Sequence, residues 1–60
     1  MTDLKLKREE CGFTQHEVAS ILHINERTVR RWEKHESRPS LDYIFKLCKL
    51  YDIDVYDYDQ

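Results

Sequence analysis

Arg27, Arg30, Arg31 and Lys34 place four cations within eight residues. Val29 and Trp32 stand among them, three apart, the spacing of an apolar stripe on a helix. At about 100° per residue, with Val29 at zero, Trp32 lies near −60° and Glu33 near +40°, both on the core side. Arg27, Arg31 and Lys34 then fall within about 40° of the opposite pole. The chemistry open to such a face is recognition of a polyanion. Lysine neutralises a phosphate, and arginine also pairs with O6 and N7 of guanine.

Other chemistries find no support. His16-Glu17 opens a zinc-protease pattern, but Ser20 stands where the second histidine is required. His23 and His35 lack partners at metal-ligand spacing, and no nucleophile–base pattern or phosphate loop is visible. No enzyme activity, metal or cofactor is expected.

The elements that must hold the cationic face follow from the apolar spacing over about residues 15–34. Val18, Ala19, Leu22, Ile24, Val29 and Trp32 point inward. Leu22 closes one helix, Ile24 sits in a three-residue turn, and Val29 and Trp32 open a second helix. Ala19 is small where the two helices cross. Two short helices sharing a core across a tight turn, with cations outward, have the form of a DNA-reading helix-turn-helix.

Capping signals mark the remaining boundaries. The first helix is expected from about Asp3 to Cys11, capped by Thr2, with Leu4, Arg8 and Cys11 on one face and Gly12 as a left-handed stop. Thr14 and Glu17 form a capping box for the second helix, with Phe13 and Val18 as a hydrophobic staple. Asn25 caps the third, which runs to about Lys34. After the polar loop 35–39, Ser40 caps a fourth helix from Leu41 to about Tyr51. Its apolar residues are Leu41, Ile44, Phe45, Leu47, Cys48 and Tyr51. Residues 53–60 form one more short turn capped by Asp54, or a frayed end. The expectation is an all-α bundle of four to five short helices, one domain over residues 1–60.

The helical angles aim Glu33 at the core, where a carboxylate needs a partner. Arg8, on the buried face of the first helix, is the best candidate. Trp32, Phe13 and Phe45 read as core. Cys11 and Cys48 are too few for a disulfide scaffold and read as small buried hydrophobes.

Net charge is −2 over 60 residues, against the basic balance usual in DNA binders. The distribution matters more. Residues 27–38 hold five cations against Glu33 and Glu36, a local +3, whereas residues 52–60 hold four aspartates and no cation, a local −4. A duplex within a Debye length responds to the local field, although the acidic tail should weaken non-specific binding. No apolar run reaches membrane-spanning length, and the first ten residues lack a signal peptide's apolar stretch. A cytoplasmic protein without membrane attachment is expected.

Cys11-Gly12-Phe13-Thr14-Gln15, Glu17-Val18-Ala19, Ile24-Asn25, Thr28 to Glu33 and Arg38-Pro39-Ser40 together resemble the Cro/CI-type helix-turn-helix family, also called XRE or lambda-repressor-like. The resemblance runs from Leu4 to about Val55. It implies five short helices, a small bacterial or phage transcriptional regulator, and a symmetric dimer on a palindromic operator. Position by position, it implies that Gln15 contacts the DNA backbone and braces the recognition helix. Glu26, Arg27 and Arg31 fall at base-reading positions, and Arg30 lies beside them. Thr28 falls near phosphate or base, and Lys34, Ser37 and Arg38 at the backbone-contacting end. Glu26 either accepts from cytosine or favours the helix N-terminus. The Arg8–Glu33 pair matches a family ion pair. Three positions depart from the pattern: His23 and the Lys34-His35-Glu36 turn stand where glycine is usual, and the tail is acidic and tyrosine-rich.

Tyr51, Ile53, Val55, Tyr56 and Tyr58 either close the core or form a patch that a partner covers. As a patch they would carry dimerisation. Asp52, Asp54 and Asp57 would then face their like across the axis, giving a weak dimer that DNA completes and that salt strengthens. The rival reading is a protein-interaction module, antitoxin-like or antirepressor, on the same fold. No small-molecule effector or effector domain is expected.

Overall fold

The computed structural model describes residues 2–58. Four α-helices follow in order: α1 Leu4–Glu10, α2 Gln15–Leu22, α3 Glu26–Glu33 and α4 Leu41–Tyr51. A 3-10 turn covers Val55–Asp57. The described residues contain no strand, so the chain is all-α as its periodicity implied. The last two residues of the acidic stretch 52–60 lie outside the described residues.

Local chemistry sets the starts. Thr14 Oγ1 accepts from the Glu17 N–H at 3.0 Å, and the Glu17 carboxylate accepts from the Thr14 N–H at 2.9 Å, closing the capping box. Asn25 accepts from the Arg27 N–H at 2.9 Å. Asp54 caps the 3-10 turn by accepting from the Tyr56 N–H at 3.0 Å. The cap of α1 is Asp3 rather than Thr2: its carboxylate accepts from the Leu6 N–H at 3.0 Å. The helix begins one residue later than expected, which gives the cap to a charged acceptor. Ser40 makes no side-chain cap bond.

All four helices end the same way. Gly12, His23, His35 and Asp52 have φ of 79°, 57°, 60° and 56°. In each case the next N–H reaches back to the carbonyl five residues earlier: Phe13 to Arg8, Ile24 to Ala19, Glu36 to Arg31 and Ile53 to Cys48. This is the long bond of a Schellman motif, which satisfies orphan carbonyls. Phe13, Ile24 and Ile53 then pack against the core, as the motif favours. Only one of the four left-handed residues is glycine. Histidine and aspartate tolerate that region better than most side chains.

Leu4, Val18, Ala19, Leu22, Val29, Trp32, Leu47 and Tyr51 form the buried cluster, and Ile44 and Cys48 are buried beside it. Trp32 packs on Tyr43 with ring centroids 5.5 Å apart. Two expectations, burial of Phe45 and of Cys11, are corrected. Phe45 is 48% exposed and Leu41 is exposed too. α4 has apolar residues on more than one side, but a four-helix domain covers only the side with Ile44, Leu47, Cys48 and Tyr51. Cys11 is exposed, because α1 stops at Glu10 and leaves it at the rim, where its thiol donates to the Tyr51 carbonyl at 3.7 Å. Cys48 is buried as expected, and burial raises its thiol pKa.

Candidate nucleic-acid interface

α2 and α3 pack against each other through Val18, Ala19, Leu22, Val29 and Trp32. Burying Val29 and Trp32 fixes the roll of α3 about its axis. Arg27, Arg30, Arg31 and Lys34 are consequently exposed, and Glu26 and Thr28 are partly so. Arg27 and Arg31 are one helical turn apart, so their guanidinium groups share a face. Lys34 follows the last helical residue, and Ser37 and Arg38 stand exposed in the next loop.

A polar network beneath this face holds α3 to α1 and α2. Arg8 Nε donates to Glu33 Oε2 at 2.7 Å and Arg8 Nη2 to Glu33 Oε1 at 3.3 Å. The two side chains are only 10% and 4% exposed. Arg8 Nη1 donates to the Phe13 carbonyl at 2.8 Å. Gln15 Nε2 donates to Glu33 Oε1 at 2.9 Å. The carboxylate thus accepts three bonds, and no buried side-chain polar atom among the described residues lacks a partner. The hydrogen bond to Glu33 raises the Arg8 guanidinium pKa above its usual value. The pair that the helical angles implied is therefore present. The Phe13 carbonyl was not anticipated, because a backbone acceptor leaves no trace in residue type.

Gln15 occupies the first turn of α2 while its amide touches the last residue of α3. That single bond fixes the start of α2 beside the end of α3.

The C-terminal aromatics divide. Tyr51 is buried in this chain's own core, and Ile53 and Tyr58 are partly buried against it. Only Val55 and Tyr56 face outward, and Tyr56 is 97% exposed. The five residues, expected either to close the core or to form a patch, thus divide: three help to close the core and two face outward. Burial raises the phenol pKa of Tyr51 and Tyr58.

Among the described residues, no cluster of histidine, cysteine or carboxylate groups can hold a metal ion. None of the helices among the described residues is long and apolar enough to cross a membrane.

Residues 4–58 match the Helix-turn-helix family. Over 49 residues the chain is 41% identical to the "Putative HTH-type transcriptional regulatory protein" of Pyrococcus horikoshii. That alignment covers 82% of this chain but 16% of the relative, so the chain spans a small part of that protein's length. With the match over nearly all of its length, the helix pair at its centre and the Cro/CI-type motif residues in place, the chain belongs to the Helix-turn-helix family.

Proposed function

We propose that this chain is a sequence-specific DNA-binding transcriptional regulator of Cro/CI type, a repressor of the kind phages and prophages carry. The observation that carries the reading is the roll of α3: Val29 and Trp32 are buried and Arg27, Arg30, Arg31 and Lys34 are exposed. A helix presented in this way enters the major groove. Arg27 and Arg31, with Arg30 and Glu26 beside them, read base edges. Gln15, Thr28, Lys34, Ser37 and Arg38 hold phosphates and set the register. Two copies place their α3 helices one helical turn of DNA apart on a palindromic operator. The dimer is weak in solution and DNA completes it. Bound to promoter DNA, the protein blocks transcription, and it works in the cytoplasm at the nucleoid.

The test is selection of bound duplexes from a random pool, followed by gel shifts over a salt series. A recurring palindrome whose affinity falls steeply with salt supports the reading. Binding to no duplex, or binding almost indifferent to salt, overturns it in favour of a protein-interaction module.

A further inference from the structure

A groove of about 460 Å³ runs between the end of α2 and the outer side of α4. Ile21, Leu22 and Leu50 form its apolar lining, and His23, Lys46 and Lys49 its polar rim. Ile21 is 48% exposed and belongs to the groove's apolar lining, not to the core. None of the residues proposed to contact DNA lines the groove.

The chain also carries a feature of opposite character. Directly after α4, Ile53 and Tyr58 anchor the C-terminal segment to the core, and Asp54 caps the 3-10 turn between them. Between these anchors Val55 and Tyr56 form an apolar knuckle flanked by Asp54 and Asp57, all four exposed. The cap and the two anchors already hold the backbone of the knuckle, which lowers the cost of association.

We infer that the Val55–Tyr56 knuckle of one copy docks in the Ile21–Leu50 groove of a second copy, with Asp54 and Asp57 facing Lys46 and Lys49. Three observations point to this occupant. Apolar meets apolar, two carboxylates meet two ammonium groups, and 460 Å³ lies within the range that takes up small-molecule-sized groups. The groove borders the later turns of α4 and the knuckle follows α4 at once, so a two-fold axis lets each copy give and receive a knuckle. Two such contacts make a small interface, in keeping with a weak dimer. The charges are complementary, so salt weakens this dimer. Two acidic segments facing each other across the axis would respond in the opposite direction.

Sedimentation equilibrium of the 60-residue chain without DNA tests the inference. Its failure leaves the DNA-binding reading standing, because no duplex is present. Tyr56→Ala should weaken dimerisation by at least about tenfold, as loss of a central tyrosine does. At concentrations where the chain is monomeric its melting temperature should not change, since the Tyr56 ring is exposed. Lys49→Glu and Asp57→Lys should each weaken the dimer, and the double variant, which restores opposite charges across both contacts, should recover it. Raised salt should weaken the parent dimer severalfold. A dimer that salt strengthens, one indifferent to Lys49→Glu and Ile21→Glu, or a chain that stays monomeric at every concentration overturns the inference.

Discussion

Arg8 and Glu33 meet through two hydrogen bonds, 2.7 Å and 3.3 Å, across 25 residues of sequence. The pair ties α1 to the end of α3. Removing one member of a buried pair leaves the other charged and unpartnered, at a typical cost of about 3–5 kcal/mol. Arg8→Ala and Glu33→Ala should therefore each destabilise by roughly that amount, a large fraction of what a small domain has. Arg8→Met with Glu33→Leu should cost much less than either single change. A residue of about 1–3 kcal/mol should remain, because the Phe13 carbonyl and the Gln15 amide lose their partners. Thermal or urea melts of the three variants measure the coupling. Additive losses would show that the two side chains act independently.

Arg31 and Lys34 differ in what they are positioned to do. Arg31 stands on the exposed face of α3, and Lys34 follows its last turn. Arg31→Ala should lose discrimination at particular base pairs, by roughly 1–3 kcal/mol each. Lys34→Ala should weaken all sequences alike and reduce the salt slope by about one. Competition binding with operator and random duplexes separates the two. Equal loss on both duplexes for Arg31→Ala would remove it from the base-reading set.

His23 and His35 adopt left-handed conformations at φ 57° and 60°. That region costs an L-residue roughly 1–2 kcal/mol, partly offset by the greater unfolded-state freedom of glycine. His23→Gly and His35→Gly should each stabilise by about 0.5–1 kcal/mol. The two sites end different helices, so the gains should add. Chemical denaturation with unchanged slope is the appropriate measurement, and a loss of stability at either site would refute the strain argument.

Tyr51 and Tyr58 should make the fold sensitive to alkali. Burial raises the Tyr51 phenol well above its ordinary 10.0, with the Glu33 charge adding to the shift, and burial also raises Tyr58. In the folded chain both phenols hold their protons at a pH where the unfolded chain releases them. Their contribution is complete below about pH 10 and is lost as pH rises through the folded-state values. Melting temperature should fall as pH rises above about 10, and Tyr51→Phe should flatten that fall. A profile unchanged by Tyr51→Phe would show that its phenol does not ionise differently in the two states.

What the sequence by itself determined was local or strongly periodic. The Thr14–Glu17 box spans four residues, Gly12 marks the left-handed stop after the first helix, and Val29 with Trp32 sets the roll of α3. Even Arg8–Glu33 was legible, because an inward carboxylate demands a cation and Arg8 lay on the buried face of the first helix. Tertiary structure decided what depends on which neighbour covers which side. Phe45 and Leu41 have the same apolar character as Ile44 and Leu47, yet four short helices enclose one core, and the side of α4 away from it stays wet. Cys11 lies outside for the same reason, one residue past the end of its helix. Tyr51 lies inside and Tyr56 outside, because α4 ends between them and the chain reverses at Asp52. Periodicity reports which residues can face inward. Only the packing of the other helices determines how many of them find a surface to cover them.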